Sequence, residues 1–421
     1  MLTLRLAWRS FLRHRRRSAI TTLALALGLT MMLVVVGIAN GAHDRMVELG
    51  VRMGAGHVVV EGRGYREERD LDHVIDRPGE VLVATRRIGG VRAVVPRVNA
   101  SGLLRAGDSS VAVAFTGVDP SVEPAVSEVA SNAHRVAGDY LRSRDRMPFA
   151  NQPSDIYVGA QLAENLDLSL GDRVVLTASP RGGGGPASAA FRVRGVFRTG
   201  LAELDGFSVQ IPIADAQALL GLGGSVTEIA LMLDDPDDVD AVVSAVRAGI
   251  RGRDELEVLP WQQALAELHE SIVLDDAGMY LMMAVVFVIV GIGIFNTVLM
   301  SVVERTRELG VMMAIGTSVR LLFGAVMAEA GVLAVIGCAV GLALGLSIHS
   351  YLASTGLDVQ QLFGNKMAVA GVILEGRLYS RLAAASVAEW TAIMAGIVLL
   401  SALYPAFRVA ELKPIEAMRH V

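Results

Sequence analysis

The stretch MYLMMAVVFVIVGIGIFNTVLMSVV, Met279–Val303, carries no charge and runs directly into the charged segment ERTRELG, Glu304–Gly310. An α-helix rises 1.5 Å per residue, so roughly 20 apolar residues cross the ~30 Å hydrocarbon core of a bilayer. The stretch therefore predicts a membrane-spanning helix that ends at a dense group of charges.

Three other segments meet the same length test and predict an α-helical membrane protein with four transmembrane helices. The first begins after a cluster of arginines and has no charge, the third contains only Glu329, and the fourth is the shortest and has Pro405 near its end. The apolar part of the first segment is longer than that of a signal peptide and lacks a clear cleavage site, so we expect an uncleaved anchor. The four predicted spans are 19–40, 278–303, 321–353 and 389–408.

Basic residues in the short segments predict the orientation of these spans. Arginine or lysine is frequent before span one, between spans two and three, and after span four. Because short cytoplasmic segments are enriched in Lys and Arg, both termini are expected in the cytoplasm. This places 1–18, 304–320 and 409–421 inside, and 41–277 and 354–388 on the outer side.

Composition excludes several classes of function. The chain has 421 residues, of which 52% are hydrophobic and 19% charged, a net charge of -5 and a mean hydropathy of +0.48. It is too apolar for an ordinary soluble protein, and it has no basic face interleaved with aromatics, so nucleic-acid binding is not expected. Its one cysteine, Cys338, excludes a disulfide within the chain.

No motif of catalytic or nucleotide-binding chemistry occurs in the sequence. There is no phosphate-binding G-x-x-x-x-G-K-[ST] loop, no H-E-x-x-H and no G-x-S-x-G. The sequence therefore predicts a non-catalytic chain without a metal or cofactor of its own.

The outer region, 41–277, has the composition of a folded domain. Runs such as HVVVEG, RAVVPRV, SSVAVAFTGV, RVVLTA, FRVRGVF, SVQIPI, EIALMLDD and LEVLP predict strands, and RPGEVLVATRRIGG and DPDDVDAVVSAVRAGIRG predict helices. Their order predicts a large α+β domain, split into parts at about 41–119 and 223–277 by a β-rich insertion at about 120–222.

Three separated motifs resemble the permease subunits of MacB/FtsX-like ABC transporters. They are LRLAWRSFLRHRRRSAITTLALALG, GIFNTVLMSVVERTRELGVMMAIGTSVRLLF and YPAFRVAELKPIEAMRHV. The resemblance implies a bacterial inner-membrane protein in which the segment after span two is an amphipathic coupling helix that docks onto a separate ATPase. It carries the coupling role onto Glu304, Arg305, Thr306, Arg307, Glu308, Leu309 and Gly310, and a cytoplasmic tail motif onto Pro405, Arg408, Pro414, Glu416, Ala417 and Met418.

We also expect this helix to carry its charges on one side and Leu309, Val311, Met312 and Ile315 on the other, since such a helix can lie at an interface. A plain charged turn between two spans is the alternative.

Within this family the outer region is most similar to the lipoprotein-releasing LolC/LolE type, through GHVVVEGRGY, YVGAQLAENLDLSLGDRVVLTA and FRVRGVFRTGLAELDGFSVQIPIADAQALL. The resemblance implies that the substrate is a lipoprotein and that a periplasmic carrier receives it. It also implies two copies of an ATP-binding subunit, which binds ATP and Mg, and a second permease subunit that is the same or homologous. Membrane lipid surrounds the spans. The alternatives are a MacB-like efflux permease and an FtsX-like scaffold that regulates a cell-wall hydrolase. The loop 354–388 is longer than the corresponding loop between spans three and four in that type of protein, and this difference leaves the identity of the substrate open.

The resembling subunit bears a projecting hook between the strands that correspond to VVLTA and FRVRGVF. That position makes Pro180, Arg181 and Pro186 a candidate carrier-docking hairpin within Thr177–Phe191. Its four successive glycines also fit a disordered linker, because ordering them on binding costs entropy.

Two features of span three remain open from sequence. Glu329 is either functional, as acids in spanning segments tend to be, or an acid that reaches Arg320 or the headgroups. Glycines at 337, 341 and 345 predict close helix packing, within the chain or across a dimer.

Overall fold

The computed structural model describes residues 15–68, 70–142, 153–183, 185–200, 202–358, 368–369, 372–373 and 377–410. Numbered in chain order, the helices are α1 Arg15–Gly50, α2 Tyr65–Glu68, α3 Pro78–Arg86, α4 Ala160–Asn165, α5 Ala202–Phe207, α6 Ile213–Leu220, α7 Val239–Gly249, α8 Trp261–Ala264, α9 Ala266–Glu304, α10 Thr306–Ala314, α11 Val319–Thr355 and α12 Ala384–Ala410.

The strands are β1 Val58–Gly62, β2 Val91–Ala106, β3 Ser109–Val118, β4 Arg135–Gly138, β5 Ser154–Gly159, β6 Arg173–Ala178, β7 Ala187–Phe197, β8 Ser208–Pro212, β9 Glu228–Leu233, β10 Leu256–Pro260, β11 Leu357–Asp358, β12 Ala368–Val369, β13 Val372–Ile373 and β14 Arg377–Leu378. The chain divides into two compact units. The helical unit is Met1–Arg45, Ile272–Asn365 and Glu375–Val421, and the sheet unit is Met46–Ser271 and Lys366–Leu374.

Four helices of the described chain, α1, α9, α11 and α12, are long and apolar enough to span a membrane. Each is longer than its predicted span. Helix α1 continues to Gly50 and α9 begins at Ala266 because the polar stretches next to their apolar cores contain no proline to stop a helix. Pro405 lies inside α12, which continues to Ala410.

The glycines of span three pack against α1 of the same chain. A Cβ at Gly341 would stand 2.9 Å from the Ala26 carbonyl oxygen and 3.0 Å from the Leu29 Cβ, so only glycine allows this approach. The Thr30 hydroxyl donates a hydrogen bond to the Gly341 carbonyl at 3.1 Å. The predicted close packing therefore includes a seam within the chain, as expected where small residues let two backbones meet.

One part of the sheet unit is an antiparallel sheet in the order β10-β1-β9-β2, paired through Val60↔Val258, Val60↔Ile229 and Val94↔Leu231. Helix α7 buries one apolar stripe, Val239, Val242, Val243 and Val246. This α+β arrangement agrees with the predicted fold class.

The β-rich part is a closed ring of six strands. Strand β2 pairs with β3 and β6, β6 with β7, β7 with β5, β5 with β8, and β8 with β3. Phe115, Leu176, Phe191 and Ile211 are almost fully buried, as in a small barrel filled by side chains.

The insertion begins earlier than the predicted boundary near residue 120. Strand β2 pairs with β9 as far as Arg97 and with β3 from Val98, so one strand serves both sheets. A single long β-branched run gives no sequence signal at the residue where its partner changes.

Two strands, β4 and β5, and short pairings within the predicted outer loop lacked clear alternation and were missed from the sequence. In the loop 354–388, β11 pairs with β14 and β12 with β13.

Candidate functional site

The charged segment after span two contains a break between two helices. Helix α9 ends at Glu304, Arg305 leaves helical geometry at φ -103° and ψ 11°, and α10 begins at Thr306. The Thr306 hydroxyl donates to the Val303 carbonyl oxygen at 2.8 Å, which holds the break locally. The predicted coupling residues, Glu304–Gly310, therefore cover the end of α9, the break and the first half of α10.

Helix α10 has one buried side, which fixes it to the helical unit. Leu309 is 6% exposed and belongs to the apolar core, with Met312 and Met313 packed against that core. Gly310 is also buried.

The other side of α10 is exposed and mixes charge with apolar surface. Glu304, Arg307 and Glu308 are exposed, and they are followed by Val311 at 41% and Ile315 at 81% exposure. The expected grouping of Val311 and Ile315 with Leu309 on one apolar side is wrong. At about 3.6 residues per turn Val311 lies roughly 160° around the helix from Leu309, and Ile315 follows Glu308 by about two turns, so both lie on the charged side. We call Glu304, Arg307, Glu308, Val311 and Ile315 the α10 outer face.

Arg305 connects the break to both neighbouring helices. Its guanidinium lies 3.3 Å from a Glu308 carboxylate oxygen on α10 and 3.5 Å from a Glu329 carboxylate oxygen on α11. The Ser301 hydroxyl lies 3.4 Å from the other Glu329 oxygen. The sequence left open whether Glu329 is functional or reaches Arg320 or the headgroups, and the ion pair that the structure describes for it is with Arg305.

Part of the predicted tail motif lies in α12. Pro405 is buried within the helix and Arg408 is exposed. Pro414, Glu416, Ala417 and Met418 lie outside the described residues.

The candidate docking hairpin is shorter than expected, because β6 and β7 stay paired as far as Ala178↔Ala187. The Arg181 guanidinium lies 3.0 Å from Asp76, and its backbone N–H donates to the Leu220 carbonyl oxygen at 2.9 Å. The hydrogen bond from Arg181, with a second from Ser225, lowers the pKa of Asp76. One side of the connection is thus tied to its own unit, while Gly182, Gly183, Gly185 and Pro186 are exposed.

A buried ionic cluster holds the chain just beyond α1, and sequence reasoning missed it. Arg97 and Glu123, 3% and 1% exposed, form a two-pronged ion pair with distances of 2.6 and 3.3 Å. Arg97 also donates to the Gly54 carbonyl, in the helical turn Val51–Ala55 that continues α1. Arg52 of the same turn lies 2.8 Å from Glu128. Burial raises the pKa of the nearby Glu228 carboxyl, against the attraction of Arg97.

Within the described ranges, no cluster of three or more His, Cys, Asp and Glu side chains is arranged to hold a metal ion.

Two family models match the chain. The MacB-like periplasmic core domain matches residues 18–248, which is more than half of the 421 residues, and the FtsX-like permease C-terminal region matches residues 280–414. The second match includes α10 and Glu329.

Curated relatives match over most of the chain at low identity. The lipoprotein-releasing system transmembrane protein LolC of Neisseria meningitidis is 24% identical over 97% of each chain. LolE of Haemophilus influenzae is 23% identical over 78% of this chain and 77% of its own. The macrolide export ATP-binding/permease protein MacB of Nitrobacter winogradskyi is 24% identical over 96% of this chain and 58% of its own length.

Among solved structures, the periplasmic region of MacB from Actinobacillus actinomycetemcomitans matches 53% of this chain and 98% of its own, with 14% identity and a TM-score of 0.36.

Proposed function

The chain belongs to the family of membrane permeases with a MacB-like periplasmic core domain and an FtsX-like C-terminal region, and we propose that it releases lipoproteins from the bacterial inner membrane. In this proposal a separate ATP-binding subunit hydrolyses ATP with its bound Mg, and two copies of it act on a pair of permease subunits. The chain itself transmits the resulting motion to its outer domain, which passes lipoprotein to a periplasmic carrier.

The observation that carries the substrate proposal is the end-to-end similarity to proteins named as lipoprotein-releasing. The match to LolC of Neisseria meningitidis includes 97% of both chains, so it takes in the membrane helices and the outer domain together. A substrate path that uses both parts is consistent with similarity over both.

The α10 outer face is the proposed contact with the ATP-binding subunit. Helix α10 connects two helices of membrane-spanning length, α9 and α11, and its buried side packs against the core of the helical unit. Exposed apolar side chains next to charges are typical of a protein interface, where apolar anchors supply affinity and charges supply orientation. On this proposal α10 and both termini are cytoplasmic, in agreement with the arginine distribution.

Reconstitution tests the proposal directly. The chain, its ATP-binding subunit and an acylated lipoprotein are placed in proteoliposomes, and ATP-dependent transfer of the lipoprotein to a soluble carrier is measured. The double substitution Glu304→Arg, Glu308→Arg should weaken ATPase co-purification by reversing charges on the exposed face. Full ATP hydrolysis without lipoprotein transfer would contradict lipoprotein release.

An efflux function is a second candidate, favoured by the match of 96% of this chain to the MacB relative. If efflux is correct, the same proteoliposomes should transport a macrolide in an ATP-dependent manner while lipoprotein stays in the membrane.

A further inference from the structure

Glu329 is an acid within a helix long enough to span a membrane. It is the only charged residue of α11 between Arg320 and the end of that helix at Thr355. Acids are costly in a bilayer and persist in spanning helices where they have polar partners and a function. The described contacts identify such partners.

Glu329 reaches the break between α9 and α10 from the neighbouring helix. One carboxylate oxygen is 3.5 Å from Arg305, which occupies the break, and the other is 3.4 Å from Ser301 near the end of α9. Arg305 in turn lies 3.3 Å from Glu308 on α10. The series Glu329, Arg305 and Glu308 therefore links α11 to α10 through the one residue that separates α10 from α9.

Partial burial makes this link stronger than an ordinary surface ion pair. The Glu329 and Arg305 side chains are 19% and 29% exposed, so water and salt screen them less than fully exposed charges. The apolar side of α10 packs against the core through Leu309, Met312 and Met313, all of which lie after the first turn of the helix. The ionic link supplies a directional restraint at the N-terminal end of α10.

We propose that Glu329 is a positioning residue that sets the orientation of α10 and so makes motion of the ATP-binding subunit move α11. The consequence for transport rests on the proposed function. The effect of Glu329 on the orientation of α10 does not depend on the substrate. Glu329 acts through Arg305 and does not itself form part of the α10 outer face.

The first test compares Glu329→Gln with Glu389→Gln in the full chain in lipid nanodiscs. Glu389 is an exposed acid near the start of α12, so it controls for the same chemical change in another spanning helix. We expect Glu329→Gln to keep the ATP-binding subunit bound but to lower permease-stimulated ATP hydrolysis about fivefold, as loss of one partly screened ion pair predicts. Glu389→Gln should leave hydrolysis unchanged.

The second test measures orientation without the ATP-binding subunit. A spin label is attached at Ala314→Cys, an exposed position on α10, in a Cys338→Ala background. Glu329→Gln should increase the mobility of this label, whereas Glu389→Gln should not.

The two measurements, ATP hydrolysis and label mobility, test the inference and the proposed function separately. Unchanged label mobility in Glu329→Gln overturns the inference, and so does a loss of hydrolysis matched by an equal loss of thermal stability. Increased mobility in a chain that never stimulates an ATPase supports the positioning role and contradicts the proposed function instead.

Discussion

Ile315 offers the sharpest test of the proposed contact between α10 and an ATP-binding subunit. Its side chain is 81% exposed at the end of α10, so little of it contributes to packing within the chain. Burying an exposed isoleucine in an interface stabilises a complex by about 1.5 to 3 kcal/mol. Ile315→Ser should therefore weaken binding of the ATP-binding subunit by about 10- to 100-fold, since each 1.4 kcal/mol is a factor of about ten.

The assay measures the dissociation constant of the ATP-binding subunit for the full chain in nanodiscs. Ile20→Ser is the matched control, because Ile20 is 70% exposed on α1 and undergoes the same chemical change. Both variants should insert and unfold like the parent chain, since neither side chain belongs to the apolar core. Only Ile315→Ser should lose affinity.

A dissociation constant for Ile315→Ser within about twofold of the parent value, an effect below the ~1 kcal/mol that marks an important interface residue, would refute the reasoning. It would mean that the exposed apolar end of α10 stays outside the interface, and that any docking depends on the charges at Glu304, Arg307 and Glu308.

Four further outcomes are expected. Ala314→Cys in a Cys338→Ala background should resist an impermeant thiol reagent added from outside and react with it in opened membranes, because Ala314 is exposed; labelling from outside would contradict the predicted orientation. Glu123→Gln should lower the stability of the full chain to thermal unfolding by about 2 to 4 kcal/mol, because it removes the closer of the two carboxylates, Glu123 and Glu228, that face the buried Arg97 charge; an unchanged midpoint would contradict this role. Arg181→Ala should destabilise the sheet unit at pH 7 through Asp76, whose lowered pKa stabilises the fold above its ordinary pKa of 3.8; the difference from the parent should disappear as pH falls below the lowered pKa. Deletion of Arg181–Ala187 should abolish carrier crosslinking if the hairpin docks a carrier, and unchanged crosslinking would remove it from the mechanism.

The spans and most strands could be predicted because each depends on local pattern. Met279–Val303 needs only its length and lack of charge, and EIALMLDD only its β-branched and apolar run. The residue at which β2 stops pairing with β9, Arg97, could not be predicted, because the change of partner strand depends on residues far away in the chain.

The coupling role of Glu304–Gly310 stays a prediction, and the local geometry of that segment was predicted only in part. The charges at Glu304 and Glu308 identified the segment, yet the break at Arg305 has no local signal in the sequence, since neither proline nor glycine stands there. Helical spacing at about 3.6 residues per turn places Val311 near Arg307 and Ile315 near Glu308, so the prediction failed because it grouped the apolar residues by type and not by their angle around the helix.

Charged contacts hold the residues just beyond the ends of two long helices. After α9, Arg305 is tied to Glu329 within the helical unit, and after α1 the Gly54 carbonyl is tied to Arg97 within the sheet unit. A helix end followed by a flexible linker dissipates an axial displacement in the linker, whereas an end held by ionic contacts passes the displacement to the element that holds it. We therefore expect that removing either ion pair reduces the coupling of ATP hydrolysis to motion of the outer domain and leaves the membrane spans in place. The loss of stability should be larger at Arg97, because its ion pair is almost fully buried and that of Arg305 is not.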